Sequence, residues 1–262
     1  KVIVIISDAL RYETGRYLYQ KLQEDAKCTA TLDAMMSVLP SYTRLGMAAL
    51  LPHKTLEISD EFKVLVDGLT CDDLKQREAI LQSYVPNSRC VQFDEIKMMK
   101  RANLRQLVTG MEVVYVYHNQ IDARGDKPNT EHEVFTACAE AVEEIYDLIK
   151  RLSVSANTYH FIVTADHGFI YKRDKLRESD KISGIAGNGN FVNRRFVISD
   201  TAIANDGVAS FSLGSMLGNN DKRIVSFPVG SHVFKVSGGG QNYVHGGSSP
   251  QQMIVPVIDI RT

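Results

Sequence analysis

Apolar residues in this chain come in short, nearly unbroken runs separated by longer amphipathic stretches. Val2-Ile3-Val4-Ile5-Ile6 opens the sequence, Val113-Val114-Tyr115-Val116-Tyr117 lies near its middle, and Phe161-Ile162-Val163 follows. Strands covered on both faces read as continuous β-branched runs, so these segments predict strands of a buried, mostly parallel sheet. Shorter runs predict strands at 34–38, 64–66 and 90–93. The intervening stretches predict helices near 12–24, 43–51, 72–84, 94–108 and 131–152. Past residue 165 the alternation stops. Short strands are expected at 195–199, 209–213, 223–227, 233–236 and 253–258, joined by Gly- and Asn-rich loops. The glycines of 184–190 and 238–240 are expected to serve turns or the rim of a site. The pattern is that of an α/β sandwich of three layers with a β-rich C-terminal part.

Composition narrows this picture. A length of 262 residues suits one large domain with a well-buried core, and 30 Lys+Arg against 31 Asp+Glu gives no basic field for unaided nucleic-acid binding. Cys28, Cys71, Cys90 and Cys138 lie far apart with no CxxC pair. That spacing predicts reduced thiols in a cytoplasmic protein, not a disulfide frame or a cysteine zinc site. No apolar run approaches the roughly 20 residues of a membrane span. The sequence enters a core strand at once, so residues 1–262 are expected to form a single domain cut from a longer polypeptide.

Chemistry gathers where the apolar runs stop. Asp8 ends the first run, Asp122 lies four residues past His118 at the end of the second, Asp166-His167-Gly168 ends the third, and His245-Gly246-Gly247 precedes the last. In open α/β sheets such strand ends converge on one site. Carboxylates and imidazoles that converge would repel unless a cation joined them. Asp8 alone is equally suited to cap the helix that follows it. Pro40-Ser41-Tyr42-Thr43-Arg44-Leu45-Gly46 sets two hydroxyls, Ser41 and Thr43, before a short helix, where either is a candidate nucleophile or a mere cap. Asp122 and Asp126, four apart with Gly125 between them for a tight loop, can share an ion; His118 and His132 are further candidate ligands. Arg11 and Arg44 are candidate phosphate clamps, each with a surface ion pair as its alternative.

The order Asp, hydroxyl, Asp, Asp-His, His resembles the alkaline phosphatase superfamily. Within it, Ser7-Asp8-Ala9-Leu10-Arg11-Tyr12-Glu13, Tyr117-His118-Asn119-Gln120-Ile121-Asp122 and His245-Gly246-Gly247-Ser248 resemble PglZ domains of bacterial phage-exclusion (BREX) systems, over nearly the whole chain. The resemblance implies an alkaline-phosphatase-like fold and two divalent metal ions, usually zinc. Asp8, Thr43, Asp166 and His167 match the ligands of one ion, with Thr43 the nucleophile; Asp122, Asp126 and His245 match those of the other. Many superfamily members have histidine where Asp126 stands, and an oxygen ligand there shifts preference toward manganese or magnesium. The family tends to have glutamate where this chain has Gln252, expected to support the site from behind its ligands. The resemblance implies a phosphodiesterase or nuclease-like enzyme working with other BREX proteins in a multiprotein complex, on a phosphate-ester substrate such as nucleic acid or a nucleotide. A metal-stabilised assembly module and a small-molecule phosphatase or phosphomutase are the alternatives.

Overall fold

The central strands order themselves as their apolar runs require. In the computed structural model, which describes residues 1–183, 185, 189–236 and 242–262, six strands form one sheet: β1 (Val2–Ser7), β2 (Thr29–Met36), β3 (Ser88–Gln92), β4 (Val113–His118), β5 (His160–Thr164) and β6 (Ile254–Arg261). Their order is β2-β6-β5-β1-β4-β3. The pairs β5/β1, β1/β4 and β4/β3 are parallel, and β6 runs antiparallel to both its neighbours. Side chains alternate between faces along a strand. Ile3, Ile5, Val114 and Val116 therefore enter one core, while Ile6, Val113, Tyr115 and Tyr117 pack with the other.

The first core is closed by α1 (Tyr12–Gln23), α4 (Arg101–Val108) and the long α6 (Val134–Ala156). The second is closed by α2 (Thr43–Ala49), α3 (Leu74–Tyr84) and an antiparallel sheet of Phe191–Val192, Val197–Ser199, Ile224–Pro228 and Val208–Ser212. This is the expected three-layer α/β sandwich with a mostly parallel sheet and a β-rich C-terminal part. No described helix is long and apolar enough to cross a membrane, and all four cysteines are free, three of them buried.

Four expectations need correction. The strand expected at 34–38 runs instead from Thr29 to Met36. The run at 253–258 does not join the C-terminal β-rich part but enters the central sheet as β6, so its beginning lies at the same edge as the ends of its parallel neighbours. The helix expected over 94–108 is broken into Phe93–Ile96 and α4. Arg151, on α6, accounts for the break: it donates to the carbonyls of Lys97 and Met99, at 2.8 Å for the latter, satisfying groups that the helix would have used. The loop after Asn119 is a short helix, α5 (Ile121–Gly125). Of the glycine-rich stretches, residues 184, 186–188 and 238–240 lie outside the described residues.

Candidate metal centre

Strand β1 delivers Asp8 to the sheet edge, where its N–H continues the ladder by donating to the carbonyl of His118 at 2.8 Å. The chain then turns through Ala9 at φ 64°. That left-handed conformation costs a non-glycine residue about 1–2 kcal/mol. It aims the Ala9 N–H at Asp166 Oδ1, 3.2 Å away, just past the end of the adjacent β5. The N-terminal cap of α1 is Arg11, with no side-chain cap bond, so Asp8 does not cap that helix.

His167 completes the group. One potential ligand atom from each of Asp8, Asp166 and His167 lies within 4.8 Å of the other two. His167 Nε2 stands 3.5 Å from Asp8 Oδ1 and 3.3 Å from Asp166 Oδ2. Its Nδ1 lies 2.8 Å from the Gly168 carbonyl, which can only accept, so Nδ1 carries the proton and Nε2 presents a lone pair. All three residues are buried, and neither Asp8 Oδ1 nor Asp166 Oδ2 has a hydrogen-bond partner among the described residues. Burial and then the Asp166 and Asp122 charges push the Asp8 carboxyl far up, burial pushes Asp166 to about 7, and burial holds His167 down. Orphaned lone pairs converging in a dry pocket are the donor set a divalent cation takes, and the residues present fit one.

Thr43 borders this group. Its Oγ1 lies 3.0 Å from His167 Nε2, and because that nitrogen is the acceptor, the hydroxyl donates. Thr43 is the first residue of α2, whose cap is Tyr42 without a side-chain bond, so its hydroxyl is not spent on capping. Ser41 is fully buried and donates to the Gly247 carbonyl at 2.6 Å, which fixes the loop carrying His245.

A second group shares His167. Ligand atoms of Asp122, His167 and His245 also lie within 4.8 Å of one another. Asp122 rides on α5, whose Ala123 N–H donates to Asn119 Oδ1 at 3.1 Å. Asp122 Oδ1 accepts from Tyr243 Oη at 2.8 Å and stands 3.7 Å from His245 Nε2. The His245 ring stacks on His167 at 4.3 Å between centroids, and its buried Nδ1 has no partner among the described residues. Gly125 is needed for a close approach and not for a tight loop: a Cβ there would lie 2.4 Å from the Tyr243 ring. Asp126 stands outside this triplet, on the wall of a cavity of about 230 Å³ that Asn193, Arg194, Tyr243 and His245 also line.

The remaining candidates are occupied elsewhere. Arg11 pairs with Glu13 and lies over the Phe169 ring at 4.9 Å. Arg44 is 68% exposed, 4.0 Å from Asp72. Each thus has an ion-pair partner, while the buried Nε of Arg11 has no hydrogen-bond partner among the described residues. His118 is buried between Ser7 Oγ and Glu144 Oε2, each at 2.9 Å, and His132 is 67% exposed.

Three residues beyond the expected set matter here. Tyr243 sits two positions before His245, and the period of a strand places such residues on one face, a signal present in the sequence. Arg194 and Arg195 carried no signal, because their hairpin is joined to the site only by tertiary packing. Arg195 is fully buried. It donates to Gln252 Oε1 at 3.0 and 3.2 Å, to Gly230 O at 2.9 Å and to His232 O, with no carboxylate partner among the described residues. Burial lowers its pKa to about 10. Gln252 therefore supports the His245 loop and this arginine, as a residue behind the ligands would.

Residues 1–260 match the model of the BREX system PglZ alkaline phosphatase-like domain. The chain is 40% identical over 261 residues to the alkaline phosphatase-like protein PglZ of Bacillus cereus, covering 100% of this chain and 31% of that protein. It is 37% identical over 265 residues to the alkaline phosphatase-like protein BrxZ of Escherichia coli, covering 100% of this chain and 30% of that one. The chain thus spans about a third of the length of the curated relatives it matches. Among solved structures, murine ectonucleotide pyrophosphatase/phosphodiesterase 5 superposes with a TM-score of 0.67 at 12% identity, over 98% of this chain and 87% of that one. Phosphonoacetate hydrolase of Sinorhizobium meliloti, solved with phosphonoformate, does so with 0.61 at 12% identity, over 98% and 89%. Both likenesses concern the fold.

Proposed function

Given that this chain belongs to the family of PglZ alkaline phosphatase-like domains of BREX systems, we propose that residues 1–262 are one catalytic domain of a metal-dependent phosphoric-ester hydrolase, a phosphodiesterase or nuclease-like enzyme of a bacterial anti-phage system. The observation that carries this reading is the Thr43 hydroxyl held 3.0 Å from a histidine lone pair that two orphaned, buried carboxylates also face. Asp8, Thr43, Asp166 and His167 would hold one divalent ion; Asp122 and His245, with Asp126 at the margin, would hold a second. Zinc suits the imidazoles, while the preponderance of carboxylate oxygen leaves manganese or magnesium as alternatives. Ions bound there supply charge stabilisation for the phosphoryl oxygens and favour the ionised hydroxyl.

The chain's own residues then do the following. Thr43 Oγ1 gives up its proton to solvent and forms a bond to phosphorus as the ester P–O bond opposite breaks, and the leaving oxygen takes a proton from solvent and departs as the alcohol. Water then cleaves the phosphothreonine and restores the hydroxyl. The His167 ring, fixed by its bond to the Gly168 carbonyl, orients Thr43. Tyr243 holds Asp122. The choice of Thr43 over Ser41 is supported by the engagement of Ser41 with Gly247, and by a structural neighbour, murine ectonucleotide pyrophosphatase/phosphodiesterase 5, whose inactive threonine-to-alanine variant was solved with AMP. A diester is the favoured substrate class, because Asp8, Asp122, Asp126 and Asp166 already crowd the site with negative charge and a monoester adds a second. Other BREX proteins in a cytoplasmic complex are the proposed partners.

The test compares kcat/KM for a nitrophenyl phosphate and its diester analogue at matched metal loading, in the unaltered protein and in Thr43→Ala. We expect diester preference, and loss of turnover with metal content intact in the variant. A tenfold monoester preference, about 1.4 kcal/mol in transition-state binding, would move the assignment to a phosphatase. An active Thr43→Ala beside a dead Ser41→Ala would move the nucleophile. No turnover of either ester by the metal-loaded protein would favour the assembly module.

A further inference from the structure

The candidate site is rich in carboxylates, and a phosphate entering it needs a protein cation as well as metal. We propose that Arg194 supplies the guanidinium that grips the substrate phosphate, an inference that rests on the phosphoric-ester reading above. Arg194 lines the 230 Å³ cavity together with His245, Asp126, Asn193 and Tyr243, so it shares a wall with His245 of the second ligand group.

The hairpin that carries Arg194 is built to hold it there. Val192 pairs with Val197, leaving residues 193–196 as the turn. Asn193 N donates to Phe196 O at 2.9 Å, and Asn193 Oδ1 accepts from Arg195 N at 3.1 Å. The next side chain, Arg195, is fully buried and bonded to Gln252 and two carbonyls, which pins the tip from below. The tip also closes directly on the His245 loop: Gly246 has φ 105°, and a Cβ there would lie 2.8 Å from the Phe196 ring. Ordering a flexible side chain on binding is costly, and an anchored backbone removes part of that cost in advance.

The chemistry matches a singly charged phosphate. Guanidinium presents paired N–H donors in the spacing of two non-bridging phosphate oxygens. Asp126 faces the same cavity, so the pocket offers one cation and one anion. A diester monoanion satisfies the arginine without a second charge set against Asp126, whereas a dianion would be repelled by it. Arg194 is thus placed to discriminate between ester classes as well as to bind.

The experiment uses metal-loaded protein, with inorganic phosphate as the binding probe and a nitrophenyl diester as substrate. Arg194→Ala should weaken phosphate binding, read by calorimetry, and lower kcat/KM on the order of 100-fold, the usual loss for one donor to a developing oxyanion. Metal content and the melting temperature without phosphate should stay unchanged, and Arg194→Lys should recover part of both losses. Phosphate binding by Arg194→Ala equal to that of the unaltered protein would overturn the assignment, and so would full recovery of both by Arg194→Gln, which has no charge. If the unaltered protein cleaves no ester, the hydrolase reading fails while the phosphate titration still decides the role of Arg194. Should Arg194→Ala not fold, the Lys and Gln variants carry the comparison.

Discussion

The two ligand groups differ in what holds them. Asp8, Asp166 and His167 have side chains only 4%, 0% and 0% exposed, and backbone groups from Ala9 and Gly168 fix them at the ends of neighbouring strands. Asp122 and His245 are each 15% exposed, ride on a short helix and a loop, and depend on the Tyr243 side chain. The first group is part of the sheet and the second is attached to it. A buried, backbone-braced group favours a permanently held ion, and a more open one leaves room for substrate and exchange.

The largest expected effect comes from the residue common to both groups. Replacing Asp166 and His167 together with alanine should strip metal from the first position, disturb the second that His167 borders, and abolish turnover. Asp122→Ala should leave one ion in place. Elemental analysis of the two variants decides the matter, and a double variant with full metal stoichiometry would sink the assignment.

Tyr243→Phe comes next. It removes the donor to Asp122 without touching a ligand, and should weaken metal binding at the second position about 10–100-fold while sparing the first. Equal weakening at both, in a competitive chelator titration, would erase the distinction between them.

A pH series sharpens the contrast from the other side. In metal-free protein Asp166 is raised from 3.8 to about 7 and Asp8 rises in the same direction, both chiefly through burial. A raised carboxyl keeps its proton in the folded state where the unfolded chain has released it. Its stabilising contribution is therefore present below about pH 3.8 and is lost as pH climbs to about 7. The melting-temperature gain on adding metal should accordingly grow from pH 5 to pH 8. A gain that shrinks across this range would mean the buried carboxylates are not the ligands.

The smallest effect concerns the support beneath the second group. Gln252 Oε1 takes bonds from Arg195 Nε and Nη2 and from Ser249, while its buried Nε2 has no acceptor among the described residues. Gln252→Glu would give the buried arginine a carboxylate. It should raise the melting temperature by about 2–4 °C, the shift that 1 kcal/mol gives in a domain this size. A lower melting temperature would show that carbonyl dipoles already balance Arg195.

How much of this was legible depended on whether local sequence or distant packing made the decision. Val2–Ser7 and Val113–His118 were readable to the residue because strands covered on both faces have no polar alternation to blur them. Thr29–Met36 was misplaced because this edge strand is half exposed, with Thr31 and Asp33 interrupting its apolar run. The break before Arg101 was invisible, since its cause is Arg151, about fifty residues away. At the site, Asp8, Asp166, His167 and His245 announced themselves at strand ends. Ser7, His118 and Glu144 form a hydrogen-bonded chain that no spacing betrays, so His118 resembled a ligand while serving the sheet edge.

Strand β6 gives the molecule a timetable. It lies between β2 and β5, pairing residue by residue with Thr29–Met36 on one side and with His160–Val163 on the other. A ribosome has made β2 long before β6, and β2 cannot join the sheet, nor β5 gain its second neighbour, until residues 254–261 emerge. The loop with His245 and the Arg195-anchored hairpin are settled only when that strand docks. A nascent chain therefore carries Asp8, Thr43 and Asp166 before the site is finished, and whatever chemistry the site performs begins only after the sheet is closed.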